Sequence, residues 1–290
     1  MRPCDRKYYY GEPGKKLLIQ EWGSEDLPVV LFVHGFPGCA DHGGLMAASS
    51  KWGAFRLIAM DRPGYGLSDL QKNITPSKFA EQIKGLLDEK GIDELSIITV
   101  SGGAPYAMAV AYLLQERVRK MTSVAGAAPL TLKNCRYMSS AQVRMWMLRT
   151  FVPQSVLEYT MGRLWKSGIE KVDQFLFSEN NEFSAPDQEV FAHAEIGPLL
   201  MSTLRTALSQ GPGALLVDLQ VIKSAWGFPL SGITCPVTLW HGSSDNVIHY
   251  QYAHEMQKLL PKAELKFISD EGHYSISLNR RDEILGDLLF

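Results

Sequence analysis

Cysteine is scarce in this chain: Cys4, Cys39, Cys135 and Cys235 are the only four in 290 residues. They lie far apart and form no C-x-x-C pair, which argues against a disulfide framework and against a zinc site. No window reaches 18 apolar residues without a charge or a glycine, so no membrane-spanning helix is expected. The N-terminal "MRPCDRKYYYGEPGKK" has no apolar core of the kind a secretory signal needs, and a cytoplasmic setting is the expectation. Net charge is only −2 and the basic residues are scattered, which points away from nucleic acid and from an anionic membrane surface. Nucleotide loops are missing as well: neither G-x-G-x-x-G nor the P-loop pattern occurs. Internal repeats and low-complexity segments are absent, and no signal sets an oligomeric state.

What is present is an ordinary globular composition, 46% hydrophobic and 21% charged. A chain this long buries about three quarters of its surface, so no disulfide or metal is needed to hold it together. Short apolar, β-branched runs alternate with helical patterns. The runs are "KLLIQEW" (16–22), "PVVLFVHG" (28–35), "FRLIAMD" (55–61), "ELSIITVS" (94–101), "MTSVAGAAP" (121–129), "CPVTLWHG" (235–242) and "AELKFIS" (263–269). Thr75 and Pro76 predict a helix start, with Phe79, Ile83, Leu86 and Leu87 on one apolar face. "APYAMAVAYLLQ" is small and apolar nearly all round, as a buried helix is. The alternation predicts an α/β fold with a mostly parallel sheet and helices on both faces.

Between residues 131 and 230 the rhythm changes to helical patterns rich in Met, Trp and Phe, with no strand signal. The expected organisation is therefore a core of residues 1–130 and 231–290, interrupted by a helical cap over 131–230. Ligands of open α/β sheets bind outside the carboxyl ends of the strands. A helical block leaving such an end becomes a lid, and its apolar content suits a small-molecule substrate with an apolar group.

Serine-based acyl transfer needs a nucleophile, a base, an acid to orient the base, and N–H donors for the oxyanion. Ser101, in "ITVSGGAPYAMA", follows a buried strand and precedes a buried helix. Gly102 and Gly103 relieve crowding there, and the Gly102 N–H sits at the helix start. Read alone, the segment is either a nucleophile turn or a glycine-rich corner whose serine caps the helix. Phe36, in "VHGFPG", is the candidate for a second N–H donor, with His34 holding that loop. Asp245, in "PVTLWHGSSDNVI", is the candidate acid, or the carboxylate of an Asx-turn. Asp61 closes a strand before Arg62 and Pro63 and is expected to stabilise its turn. His273, in "SDEGHYSI", is the candidate base. Of the other histidines, His42 lies near the oxyanion loop and within reach of substrate, and His193 falls in the helical block. His241 ends a strand, and His249 and His254 belong to surface or packing.

The segments "HGFPG", "DRPGYGLSD", "VSGG", "PVTLWHGSSD" and "GHYS" appear in this order at successive strand ends. With them the sequence resembles the serine-type α/β-hydrolase superfamily over nearly its full length, including a gap for a helical cap. The resemblance implies the α/β-hydrolase fold, with an eight-stranded, mainly parallel sheet and the cap inserted after the sixth strand. It implies a Ser101–Asp245–His273 catalytic triad, with the Phe36 and Gly102 N–H groups as oxyanion hole. It further implies hydrolysis of a carboxylic ester or related acyl compound through an acyl-enzyme, with no metal or organic cofactor. Relatives that use an aspartate nucleophile, the dehalogenases and epoxide hydrolases, do not fit a serine. A carbon–carbon bond hydrolase, a cofactor-free haloperoxidase, an aminopeptidase or an acyltransferase would keep the same triad, and a non-catalytic small-molecule receptor would keep the fold. One departure stands out: Thr99 occupies the position where the superfamily usually has glycine.

Overall fold

A computed structural model describes residues 1–130, 135–166 and 183–289 of the chain. Eight strands build one sheet: β1 (Arg6–Tyr10), β2 (Leu17–Trp22), β3 (Val29–Val33), β4 (Arg56–Met60), β5 (Leu95–Val100), β6 (Val118–Val124), β7 (Val237–Gly242) and β8 (Ala263–Ile268). Their order is β1-β2-β4-β3-β5-β6-β7-β8. The β1–β2 and β2–β4 pairs are antiparallel, and every other pair is parallel. The central strands are apolar on both faces for a direct reason. Val29, Leu31 and Val33 of β3 pack into one core cluster, and Val30 and Phe32 into another on the opposite side.

The described helices are α1 (His42–Ala47), α2 (Pro76–Glu89), α3 (Ala104–Leu113), α4 (Ser140–Phe151), α5 (Gln154–Lys166), α6 (Ala185–Ala192), α7 (Ile196–Ala207), α8 (Gly213–Lys223), α9 (Gln251–Leu259), α10 (Ser275–Asn279) and α11 (Arg281–Leu289). Helix α2 starts as its sequence predicts. The Thr75 hydroxyl accepts the Lys78 N–H at 3.2 Å, Pro76 takes the first turn, and Phe79, Ile83, Leu86 and Leu87 are buried. It packs with α3 and α9 on the first face of the sheet, while α1 and α11 cover the second. Among the described residues, the chain between β6 and β7 is helical and contributes no strand. The "VLEYTMGRLWKSGIEKVDQFLF" pattern runs past Lys166 into the stretch outside the described residues. No described helix is long and apolar enough to cross a membrane.

Two elements differ from the sequence reading. Strand β1 has no apolar alternation to reveal it, because three of its five residues are consecutive tyrosines. Only its burial alternates, with Tyr8 and Tyr10 packed inward against the core at the sheet's edge. Strand β6 begins at Val118 rather than Met121 and ends at Val124 rather than Pro129. Arg119 and Lys120 disguise its start, and both reach solvent or near-surface acids: Arg119 pairs with Glu94, and Lys120 with Asp287.

Candidate active site

Ser101 is the first residue after β5, at the head of a short turn (Ser101–Gly103) that leads into α3. Its φ is 51°, in the left-handed region that residues with a β-carbon seldom occupy. Such a backbone costs of order 1–3 kcal/mol and persists only where its surroundings enforce it. The surroundings here are built from missing side chains. A β-carbon added at Gly102 would stand 2.5 Å from the Phe36 β-carbon, and one at Gly103 would stand 2.5 Å from both the His34 carbonyl and the Thr99 hydroxyl. One at Gly35 would come within 3.1 Å of the Ser101 β-carbon. Thr99 is therefore accommodated by Gly103, which clears the space its side chain fills. The Thr99 hydroxyl is buried and donates to the Val33 carbonyl at 3.0 Å, tying β5 to β3. Thr99→Gly is thus expected to cost about 2–3 kcal/mol of stability, from one buried hydrogen bond, one lost methyl and a freer unfolded backbone. Turnover per folded molecule should stay within about twofold. Urea unfolding and ester turnover on the same sample check both, and a large change in turnover would mean that Thr99 shapes the turn itself.

His273 follows β8 in a loop that brings its ring to Ser101. Its Nε2 lies 2.9 Å from the Ser101 Oγ, and its Nδ1 lies 2.8 Å from the Asp245 Oδ2. The Asp245 Oδ1 accepts the N–H groups of Val247 and Ile248 at 2.9 and 2.8 Å, so the Asx-turn and the acid are the same residue. His241, at the end of β7, completes the carboxylate. Its Nε2 is 2.8 Å from the Ile248 carbonyl, which requires a proton on that nitrogen, and 3.2 Å from the Asp245 Oδ2. Burial alone would raise the Asp245 pKa, but His273, His241 and their hydrogen bonds hold it below the usual carboxylate range. For His273, burial pulls downward and is outweighed by the Asp245 charge, its hydrogen bond and the more distant Asp187. The imidazole ends above its ordinary value of 6.5.

Phe36 lies on the loop after β3, and a β-carbon added at Gly102 would stand 3.4 Å from its nitrogen, so the two candidate donors are neighbours beside Ser101. The loop is held from below. The His34 Nε2 accepts the Arg62 N–H at 2.9 Å, and the Arg62 guanidinium donates to the His34 and Gly35 carbonyls at 3.1 and 2.8 Å. Burial, reinforced by the Arg62 charge, keeps His34 neutral by pushing its pKa well down. Asp61 holds the turn it closes and the loop beyond Phe36 together, accepting from Ala40 at 2.7 Å and Leu67 at 2.8 Å. Burial lowers His42 to about 4, and its Nε2 meets the Thr203 hydroxyl of α7 at 2.7 Å. His193 lies at the end of α6, and His249 and His254 pack against aromatic rings around α9.

Sequence reasoning missed two residues of this region, both buried acids between β6 and β7. Asp218, on α8, forks onto Arg62 at 2.8 and 2.7 Å and also accepts the hydroxyls of Tyr65 and Tyr106, both at 2.7 Å. Asp187, on α6, receives backbone N–H groups from the His273 loop. The one sequence signal near it, "SAPD" (184–187), marks a helix start and says nothing of His273.

A cavity of about 70 Å³ opens beside Ser101 and His273, walled by Phe32, Met46, Val124, Leu200, Leu204 and Leu278. Leu200 and Leu204 come from α7, so a helix between β6 and β7 supplies part of the wall. A larger cavity of about 460 Å³, between Leu70, Glu158 and Gly213, touches none of Ser101, Asp245 and His273. Among the described residues no group of His, Cys, Asp and Glu is arranged to hold a metal ion.

The sequence model of the alpha/beta hydrolase fold family matches residues 28–279. Over 97% of its length the chain is 23% identical to a bifunctional esterase/perhydrolase of Acinetobacter calcoaceticus, covering 98% of that protein. Among solved structures, it is similar to a bromoperoxidase from Bacillus anthracis, with a TM-score of 0.72 at 14% identity, 98% of this chain and 99% of that one being covered. It is likewise similar to the enol-lactonase from Burkholderia xenovorans LB400, with a TM-score of 0.70 at 17% identity over 97% of this chain and 99% of that one.

Proposed function

This chain belongs to the alpha/beta hydrolase fold family, and on that premise we propose that it is a serine hydrolase that cleaves a carboxylic ester or related acyl compound through an acyl-enzyme. That it is a hydrolase follows from the family and its esterase relatives. The observation that carries the finer reading is the continuous hydrogen-bonded line from Ser101 through His273 to Asp245, with contacts of 2.9 and 2.8 Å.

In this reading His273 takes the Ser101 proton as Ser101 attacks the ester carbonyl. The N–H groups of Phe36 and Gly102 hold the oxyanion, and Asp245 keeps the imidazole in the tautomer with its free lone pair toward Ser101. His273 then protonates the leaving alcohol, and water hydrolyses the acyl-enzyme by the reverse sequence. Residues 131–230 act as the cap, with Leu200 and Leu204 closing the acyl site. The cavity beside Ser101, walled by apolar side chains, supports an acyl compound with an apolar group. A cytoplasmic location belongs to the same proposal, resting on four cysteines that form no disulfide.

A fluorophosphonate probe followed by peptide mapping tests the nucleophile, and labelling of Ser101 is the expected result. The same preparation should hydrolyse aryl esters, and Ser101→Ala should not. Because the base must be neutral, kcat/KM should rise with pH through a midpoint above 6.5, the ordinary histidine value that His273 exceeds. An unlabelled Ser101, with tight binding of an apolar ligand, would make the protein a receptor instead.

A further inference from the structure

We infer that Asp187 is a positioning residue of the active site: from α6 it fixes the backbone of the His273 loop and lends its charge to the base. The inference rests on the serine-hydrolase reading above.

Three consecutive backbone N–H groups converge on this one carboxylate. The Oδ2 accepts His273 at 2.9 Å, and the Oδ1 accepts Tyr274 at 2.7 Å and Ser275 at 2.9 Å. The Ser184 hydroxyl donates to the Oδ2 at 3.0 Å from the start of the same helix. Asp187 is fully buried, so these are charge-assisted bonds in a site closed to water. No cation pairs with it among its described contacts, and the backbone donors take that place. Gly272 makes the approach possible, since a β-carbon there would collide with both Ser184 and Asp187. The loop is braced on its other side by Ser275, whose hydroxyl accepts the Gly272 N–H and donates to Glu271. His273 therefore has two constraints on its position: Asp245 orients the ring, and Asp187 orients the chain that carries the ring.

The second role is electrostatic. The groups facing His273 are Ser101 from the β5 turn, Asp245 with His241 behind it, Asp187 from α6, its neighbour Tyr274, and His42 across the cavity. His42 is neutral at working pH, and burial, with the nearby acids, keeps the Tyr274 hydroxyl protonated. Of these groups, Asp245 and Asp187 both raise the imidazole pKa. Asp187 comes from the helices between β6 and β7, so correct seating of α6 becomes a condition for a correctly placed base.

The test is the rate of fluorophosphonate labelling at Ser101 against pH, in wild type, Asp187→Asn, Asp187→Glu and Gly272→Ala. Asn keeps one acceptor oxygen but loses the charge and turns an amide toward donors. It should slow labelling by about tenfold to a hundredfold and move the acid limb to lower pH. Asp187→Glu keeps the charge and should hold the limb near the wild-type position even where the rate falls. Gly272→Ala displaces the carboxylate without removing it, and should slow labelling with a downward shift of the limb; it serves if the Asn variant does not fold. A folded Asn or Ala variant with an unmoved limb overturns the inference, whether its rate falls, as a purely structural contact predicts, or stays at the wild-type value. If wild-type Ser101 is not labelled at all, the serine-hydrolase reading has failed and takes this inference with it, an outcome distinct from an unmoved limb.

Discussion

Ser101→Ala is expected to lower turnover of an aryl ester by about 10⁴-fold or more. The magnitude follows from what the oxygen does and what it does not do. Its one described side-chain contact is the 2.9 Å bond to His273, so removing it takes away the nucleophile and its proton path and little else. The left-handed turn at φ 51° is imposed by the packing of Gly35, Gly102 and Gly103, and alanine inherits that conformation. Stability should therefore change by less than about 1 kcal/mol, the ordinary range for a change that leaves packing intact. Residual activity would come from oxyanion donors and binding alone and should lose the pH limb that reports His273. Turnover, thermal unfolding and probe labelling of the same sample separate a lost nucleophile from a lost fold. A variant that keeps wild-type turnover would remove Ser101 from the mechanism.

The groups that meet at Ser101 were legible because each stands at a strand end, where local pattern and chemistry coincide. "HGFPG", "VSGG" and "GHYS" each follow a strand, carry glycine that lets backbones approach, and supply one group of the site: a backbone N–H, a hydroxyl and an imidazole. The double role of Asp245, as Asx-turn and as acid, was visible as two readings that the structure joins in one carboxylate. The acids that brace the site were not legible. Asp187 lies 86 residues from His273, and Asp218 lies 156 residues from Arg62. Both sit on the buried face of their helices, Asp187 with Val190 and Asp218 with Leu215 and Val221, and helical periodicity says nothing of what a buried acid there will meet. Arg62 read as a turn neighbour of Asp61, because nothing in "DRPG" shows that its side chain will reach back under the preceding loop. Register and strand end are local properties; a contact across the sheet's carboxyl end depends on how the whole block of helices is seated.

Asp218→Ala is expected to destabilise the protein by about 3–5 kcal/mol, the cost of leaving a buried charge without its partner. The Arg62 and Asp218 side chains are 1% and 2% exposed, so water cannot replace the lost carboxylate. The hydroxyls of Tyr65 and Tyr106 lose their acceptor in the same step, and each orphaned group costs about 1–3 kcal/mol. Against a total stability of about 5–15 kcal/mol, this should lower the melting temperature by roughly 10 °C. Activity should fall too, for a separate reason. Arg62 holds the carbonyls of His34 and Gly35, the two residues before Phe36, and an unpaired guanidinium has no fixed direction from which to hold them. The two effects come apart in the double variant Arg62→Leu, Asp218→Leu. With both charges gone, the penalty of an unpaired buried ion disappears, and stability should recover by about 2 kcal/mol or more relative to Asp218→Ala. The His34 and Gly35 carbonyls still lack their donor, so turnover should remain low. A double variant that regains both stability and turnover would show that the network serves folding alone, and that the oxyanion loop holds its shape without Arg62.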